Sequence, residues 1–167
     1  QEISVAATKF KDSKISIFEP TENQHAGGIL RHSKIPANIS KKIFDEAQAI
    51  TIKFAEKLNY VGTLNLEFMI DHEDNLYFNE YANRCHNGLW HSVNSYEICQ
   101  FTNHVRSICG LEFIENKKIS NAEMFNIIGD EIEKFRDKEF KKNEFFFDYL
   151  KSEVRPGRKM GHLTVLL

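Results

Sequence analysis

Two glutamates in residues 62–90 are the residue pair best placed to do chemistry. The stretch reads as two apolar strands joined by a polar turn at residues 72–75, the pattern of a β-hairpin. With that turn Asp71 faces Leu76, and counting back along both strands places Glu67 opposite Glu80. Cross-strand Cβ atoms lie about 5 Å apart, so the two carboxylates repel unless a proton or a cation lies between them. Oxygen ligands favour Mg²⁺, which takes one or two protein carboxylates and leaves its other positions to water and phosphates.

Two neighbours extend this interpretation from a metal to a phosphate. Asn79 supplies an amide beside one carboxylate, and the guanidinium of Arg84 follows four residues after Glu80. Such groups hold a metal and a phosphate together. The alternative is that the paired glutamates are only a solvated sheet face.

Cys85, His86 and Asn87 invite two other interpretations. A thiol nucleophile needs partners that converge in space, which adjacent residues do not provide. A zinc site built from Cys85, His86, His91 and Cys99 matches none of the usual ligand spacings. We therefore expect these cysteines to be packing residues.

Four cations surround a Pro-Gly turn near the end of the chain: Lys151, Arg155, Arg158 and Lys159. Basic side chains that converge with backbone donors at a glycine turn form anion sites. The alternative is a solubilising surface turn, because exposed lysines and arginines are common.

Composition limits the class of protein. The 167 residues are 41% hydrophobic with 14 Phe and 3 Pro, which is enough for one core or for one domain with a small appendage. A net charge of -2 gives no basic field for nucleic acid or an anionic membrane. There is no membrane-spanning run or signal-peptide pattern, and three cysteines without a disulfide framework indicate a reducing compartment. We expect a cytoplasmic protein.

The pattern of apolar residues predicts the elements that position these groups. Strands are expected at residues 1–7 and 15–18, with a polar loop at 22–28 that returns into an apolar strand ended by Pro36. Because the first residue is already in a strand and is not Met, we expect something to precede it. An amphipathic helix is expected at 40–58.

A second helix is expected at residues 96–109, where it should anchor the preceding loop. Its buried stripe would be Ile98, Phe101, Val105 and Ile108, with Gly110 as the C-cap. A strand at 122–128, an exposed charged stretch at 131–142, an apolar block at 145–150 and a final strand follow. The fold class is α+β: an antiparallel sheet with packed helices over residues 1–112, and a small C-terminal subdomain over 113–167.

Several motifs together resemble a known family. They are Glu2-Ile-Ser-Val, Glu22-Asn-x-His25, Gly28-Ile-Leu, Tyr60-Val-Gly, Glu67-Phe, Asn79-Glu80, Arg84 with His86-Asn87, Gln100-Phe, and Arg155-Pro-Gly-Arg-Lys-Met-Gly-His162. The set resembles the C-terminal part of the 5-(carboxyamino)imidazole ribonucleotide synthases, which are purine-biosynthesis enzymes of the ATP-grasp superfamily. The Arg155–His162 block is specific to that family, whereas Glu67 and Asn79-Glu80 alone indicate only ATP-grasp.

The resemblance implies an activity and a role for each matched residue. ATP would phosphorylate bicarbonate to carboxyphosphate, which then carboxylates 5-aminoimidazole ribonucleotide. Glu67 and Glu80 would hold Mg²⁺, with Asn79 and Glu80 on the ATP phosphates. The residues that would line the nucleotide pocket are Glu2 and His25. The residues that would stabilise carboxyphosphate are Arg84, His86 and Asn87. The phosphate of the ribonucleotide would be bound by Lys151 and Arg158, supported by Arg155 and Lys159.

The chain departs from the family pattern in two ways. The family usually has Asn-Ser-Gly-His-Trp where this chain has Asn87-Gly88-Leu89-Trp90-His91, so the loop is expected to differ and His91 is not assigned a role. The pre-grasp domain and the glycine-rich, lysine-bearing half of the nucleotide clamp would lie upstream, so a missing N-terminal half or a homodimer partner would complete the site. Two alternatives stay open: another ATP-grasp carboxylase or formate-using ligase, and a non-catalytic remnant that binds a nucleotide or a partner.

Overall fold

The computed structural model describes residues 1–167 and is organised on one large antiparallel sheet. Its nine strands are β1 (Glu2–Lys9), β2 (Ile15–Ile17), β3 (Thr21–Ala26), β4 (Ile29–Ile35), β5 (Gly62–Ile70), β6 (Leu76–Ala82), β7 (Ala122–Ile128), β8 (Glu144–Asp148) and β9 (Lys159–Leu166). The strand order is β6-β5-β1-β3-β4-β7-β9-β8, with β2 paired to β1. The predicted antiparallel sheet with packed helices is confirmed.

Helix α1 (Lys41–Lys57) covers one face of this sheet. The helix lies within the segment 40–58 that the amphipathic pattern predicts. Ser40 caps its N-terminus by accepting a hydrogen bond from the Ile43 backbone N–H. The main core lies between the buried side of the helix and the side chains of β1 and β5. The helix therefore packs against β5, the strand that carries Glu67, on the face opposite to the Glu67 side chain.

The opposite face of the sheet is covered by a polar loop and two short helices, α2 (Ser92–Ser95) and α3 (Gln100–Ile108). The predicted apolar stripe on the second helix is wrong. Val105 and Ile108 are exposed, and α3 instead buries Gln100, Asn103 and Ser107. Apolar residues that recur every 3.6 positions indicate a helix with one apolar and one polar face. In α3 the polar face is the one that packs against the rest of the protein.

The predicted polar loop at residues 22–28 is also different in the structure. Residues 21–26 form β3, and only the two glycines make the turn into β4. Gly27 and Gly28 both have positive φ, which glycine adopts without strain. Strand β3 carries polar side chains because the loop that packs on it is itself polar.

The C-terminal segment continues the same sheet, because β7 pairs with β4 from residue 32 to residue 35. A second small core lies behind β9, between that strand, the 3₁₀ turn at Gly129–Ile132 and the phenylalanines of helix α4 (Glu133–Arg136) and β8. The division of the chain at residue 112 stays a prediction. None of the helices has the length and apolar character needed to cross a bilayer.

Candidate functional site

The hairpin of β5 and β6 places Glu67 opposite Glu80, as predicted. The route to this pairing differs from the prediction, because Ile70, not Asp71, faces Leu76 at the turn. A β-bulge between the Phe68–Phe78 and Glu67–Glu80 pairs leaves Asn79 without a partner and shifts the count back by one residue. Because the bulge offsets the one-residue difference at the turn, Glu67 and Glu80 still face each other.

These carboxylates line a polar cavity of about 270 Å³. The cavity brings together groups from four separated parts of the sequence. Its lining residues are His25, Gly28, Leu30, Glu67, Glu80, Arg84, His86, Asn87 and Lys159. One wall is anionic and the facing groups are cationic, which suits a polyphosphate accompanied by a metal ion.

Glu67 is the buried member of the carboxylate pair, with 8% of its surface exposed. Burial raises the pKa of Glu67 to about 7, and repulsion from Glu2 and Glu80 adds to the shift. Arg84 and Lys159 act in the opposite direction. A divalent cation held between Glu67 and Glu80 would relieve this repulsion, so the donor set fits Mg²⁺.

His86 connects the covering loop to Glu67. Its Nε2 lies 3.1 Å from Glu67 Oε1, and its Nδ1 accepts a 3.4 Å hydrogen bond from the Gly88 backbone N–H. Burial lowers the pKa of His86 to about 4, and Arg84 and Lys159 contribute to the same shift. The imidazole is therefore neutral at pH 7.

Two buried polar atoms at the site have no protein partner. Glu2 forms a 3.2 Å contact from Oε2 to His25 Nδ1, while its Oε1 accepts no hydrogen bond. The amide nitrogen of Asn87, on the cavity wall, donates to no protein atom. Unpaired buried polar groups are costly, so a free acceptor and a free donor here fit a ligand that supplies their partners.

Of the predicted cation cluster at the chain end, the structure places one member in the carboxylate cavity. Lys159 lines the carboxylate cavity, where burial lowers its pKa, Arg84 and Lys151 add to the shift, and Glu67 opposes it. Lys151 Nζ donates to the Lys159 backbone oxygen at 2.5 Å. Arg155 pairs with the Glu153 carboxylate, and Arg158 Nη1 donates 3.0 Å to the Glu153 backbone oxygen. Of the four cations, only Lys159 lines the cavity.

Three neighbours of the site lie in motifs that carry the resemblance but were assigned no role from the sequence. Gly28 and Leu30 line the cavity from the β3–β4 turn, for which the paired glycines were the available signal. Gln100 is fully buried and bonds to the backbone of His86, and the Gln100-Phe motif was the available signal. The predicted anchoring of the loop by the second helix is thereby explained.

The cysteines do not form a reactive site. All three are free thiols, and burial raises the pKa of Cys85 to about 11, with a further contribution from Cys99. A protonated, buried thiol is a poor nucleophile. Cys85 and Cys99 are half-buried, which agrees with their expected role as packing residues, whereas Cys109 is exposed.

Comparison with known families places this site in a defined class. Residues 1–101 match the ATP-grasp domain family, and residues 122–167 match the phosphoribosylaminoimidazole carboxylase C-terminal domain family. The first match covers more than half of the chain, and the chain belongs to the ATP-grasp family. The gap between the two matches contains the predicted boundary at residue 112.

Individual relatives narrow the comparison. A protein of Brucella melitensis named N5-carboxyaminoimidazole ribonucleotide synthase is 38% identical over 98% of this chain, and one of the same name from Bacillus subtilis is 35% identical over 99%. The crystal structure of an Aspergillus clavatus N5-carboxyaminoimidazole synthase with ADP and 5-aminoimidazole ribonucleotide matches 99% of the chain at a TM-score of 0.92 and 26% identity. The chain spans 45%, 44% and 46% of these three proteins.

Proposed function

We propose that this chain supplies the metal and substrate side of an ATP-dependent carbon–nitrogen ligase. The enzyme would carboxylate 5-aminoimidazole ribonucleotide with bicarbonate to give N5-carboxyaminoimidazole ribonucleotide, in purine biosynthesis. The observation that carries the proposal is the shared cavity. It joins the paired glutamates and Arg84 of the ATP-grasp segment to Lys159 of the C-terminal segment.

The residues on the anionic wall would bind the nucleotide. Glu67 and Glu80 would hold Mg²⁺, which when bound neutralises the ATP phosphates and the charge that develops on the transferred phosphoryl group. Asn79, at the bulge, would assist Glu80. Glu2 and His25 would contact the nucleotide beyond the carboxylates, and the free Oε1 of Glu2 is an acceptor for a hydroxyl or an amino group.

The cationic groups would stabilise the reacting anions. Arg84 and the free amide donor of Asn87 face the place where carboxyphosphate would form, and their hydrogen bonds strengthen as negative charge accumulates there. Catalytic action by His86 stays a prediction, because its Nε2 is directed at Glu67. Lys151 and Arg158, with Arg155 and Lys159, would bind the phosphate of the ribonucleotide.

The test separates the two sides of the site in the full-length gene product that contains this chain. Glu80→Gln should abolish ATP turnover and leave the melting temperature unchanged, because the exposed carboxylate supports no core packing. The double variant Lys151→Ala with Arg158→Ala should raise the KM for 5-aminoimidazole ribonucleotide about tenfold to a hundredfold while the KM for ATP hardly moves.

Each contrary result selects a different function. Normal turnover by Glu80→Gln would remove the metal assignment. An unchanged KM for the ribonucleotide in the double variant would favour another ATP-grasp ligase. A full-length protein that binds ATP but forms no ADP with any carboxylate or amine would indicate a nucleotide-binding remnant.

A further inference from the structure

We propose that Arg31 and Glu131 form a brace that positions the basic turn of residues 151–159 for the phosphate of the ribonucleotide. In this arrangement both act through the backbone and neither binds the phosphate, so they are positioning residues. The inference rests on the proposed function only in taking Lys151 and Arg158 as phosphate ligands. The brace itself consists of hydrogen bonds that join β4 to the end of β7.

The backbone at residues 158 and 159 is the common point of the basic turn. The Arg158 carbonyl accepts a hydrogen bond from the Gly129 backbone N–H at 2.8 Å. The Lys159 carbonyl accepts one from Lys151 Nζ. Lys159 also lies opposite Ile128 in the pairing of β7 with β9, next to a β-bulge. Three of the four cations are therefore placed by one backbone joint, Ile128 and Gly129.

Gly129 lies directly against the basic turn. Its φ of +57° is in the left-handed region, which glycine adopts without strain. A Cβ at this position would lie 3.3 Å from the Arg155 carbonyl oxygen and 3.6 Å from Pro156 Cα. The joint therefore contacts the turn through packing as well as through the hydrogen bond to Arg158, and a displacement of the joint moves the backbone of the cations.

Glu131 fixes the joint. Its Oε2 accepts a hydrogen bond from the Ile128 backbone N–H at 2.9 Å, which closes the start of the 3₁₀ turn at Gly129–Ile132. Its Oε1 accepts one from Arg31 Nη2 at 2.6 Å. Both are charge-assisted hydrogen bonds, which are stronger than neutral ones. One carboxylate thus has one oxygen on the joint and the other on β4.

Arg31 connects the brace to the carboxylate cavity. It follows Leu30, which lines that cavity, in the same strand β4. The start of β4 also approaches the basic turn, because Ile29 Cδ1 lies 3.6 Å from the position that a Cβ of Gly157 would take. The brace therefore joins the strand that borders the proposed metal site to the turn that would bind the ribonucleotide.

Two other roles are open to this pair. Arg31 would be a phosphate ligand itself if Glu131 only held it in the free protein. Loss of the Glu131 carboxylate would then release the guanidinium and strengthen substrate binding, whereas in the brace the same loss weakens it. Alternatively, both side chains are more than a third exposed, and exposed ion pairs commonly contribute little. An ordinary surface pair would leave substrate binding unchanged.

Single variants and their double variant test the brace in the full-length gene product. Glutamine has one acceptor oxygen where the Glu131 carboxylate uses two, so Glu131→Gln cannot serve both Ile128 and Arg31. We expect Arg31→Met and Glu131→Gln each to raise the KM for 5-aminoimidazole ribonucleotide about threefold to tenfold, because a displaced turn binds the phosphate less well. The double variant should resemble the more affected single variant, since both remove one connection.

The other readouts separate positioning from general damage. The KM for ATP and the melting temperature should hardly change in these variants. Arg31 uses one nitrogen in the brace, so Arg31→Lys can keep a charge-assisted bond and should stay within about twofold of the wild type. Lys41→Met is the matched control, because it removes the exposed ion pair of Lys41 with Asp45 on α1, and its kinetic constants should equal those of the wild type.

Amide hydrogen exchange at single residues does not depend on the substrate. The Gly129 amide is held by the Arg158 carbonyl and the Ile128 amide by Glu131. In Arg31→Met both amides should lose protection while those of β1 and β5 keep theirs. If the wild type does not act on the ribonucleotide but this loss is observed, the proposed function is wrong and the brace stands.

Three results would overturn the inference. The first is a lower KM for the ribonucleotide in Glu131→Gln, which would make Arg31 a direct ligand. The second is an unchanged KM in both single variants, or an equal rise in Lys41→Met, which would leave the pair as an ordinary surface contact. The third is full protection of the Gly129 amide in Arg31→Met, which would show that the joint needs no brace.

Discussion

At the scale of single residues, this protein buries polar side chains that are neutral at pH 7. His91 is fully buried between the hydroxyls of Thr21 and Ser95, which lie 3.2 Å and 3.0 Å from its two ring nitrogens. Burial lowers its pKa to about 3, with a smaller contribution from Lys118. His91 therefore belongs to the packing under the loop, in agreement with its having been assigned no role from the sequence.

His162 gives a test of the same principle. It is 2% exposed, packs against Trp90 at a centroid distance of 4.9 Å, and burial lowers its pKa to about 4 from a usual value near 6.5. Below pH 6.5 the His162 side chain is protonated in the unfolded chain, whereas in the folded protein it stays neutral until about pH 4. The contribution of His162 to stability is thus complete above pH 6.5 and is lost as the pH falls toward 4.

The expected size follows from the two pKa values. When the pH is lowered from 7.5 to 5, the coupling of unfolding to protonation of His162 should reduce the free energy of unfolding by on the order of 2 kcal/mol. Urea unfolding of the wild type and His162→Gln at both pH values measures this as the difference between their pH dependences. His72→Gln, in the exposed turn of the hairpin, is the control and should follow the wild type. Identical pH dependence in His162→Gln would contradict the assignment.

At the scale of elements, sequence patterns predicted β1, β5 and helix α1 well because each has an apolar face against the main core. Strand β3 lacks such a face and was expected to be a loop. The pattern on α3 misled because apolar residues there face outward and the buried side is polar. Polar burial leaves no periodic signal, since a buried glutamine and an exposed one look alike in a sequence. For the same reason Gln100 was assigned no role in the predicted site, although it lies in a motif that carries the resemblance.

The carboxylate pair shows a different limit of prediction. Glu67 and Glu80 were correctly placed opposite each other, although the predicted register at the turn was off by one residue. The bulge at Asn79 compensated for the error. A bulge depends on local backbone geometry and side-chain packing, so counting along two strands cannot reveal it.

The junction of β8 and β9 yields a prediction at this scale. A Cβ on Gly161 would lie 2.5 Å from the Phe147 carbonyl oxygen and 3.2 Å from Ile132 Cδ1. Because the first of these atoms belongs to the backbone, it cannot move without opening the strand pair. We expect Gly161→Ala to cost about 1–3 kcal/mol of stability, in the range of other overpacked substitutions.

Hydrogen exchange locates the damage. Amide protection should fall across Glu144–Asp148 in Gly161→Ala while β1 and β5 keep theirs. Gly27→Ala is the comparison, because its Cβ would meet nothing within 4 Å and only the positive φ is penalised. If both variants lose the same stability and neither loosens β8, the close approach at Gly161 is not the cause.

At the scale of the whole molecule, the chain supplies one side of the proposed nucleotide site. The paired carboxylates and Arg84 are present, and the cavity they line is open toward the solvent. The relatives that the chain matches are more than twice its length. We expect residues 1–167 alone to bind Mg²⁺-ATP weakly and to hydrolyse none, because half of the enclosure is not supplied by these residues.

Calorimetric titration with ATP and a bicarbonate-dependent assay of ADP formation check this expectation. The full-length gene product, assayed in parallel, is the control. Bicarbonate-stimulated ADP formation by the 167-residue chain alone would mean that these residues complete a site by themselves, for example by pairing two copies.

The pairing of β4 with β7 has a consequence for how the two matched segments hold together. The two matched segments are joined along the chain by residues 102–121, and they also pair directly, because β4 of the first bonds to β7 of the second and Trp90 of the first packs on Tyr149 and His162 of the second. Closing such a short link contributes little compared with these contacts. A break between the exposed residues Leu111 and Glu112 would therefore leave two polypeptides that can still associate through these contacts and line the cavity together.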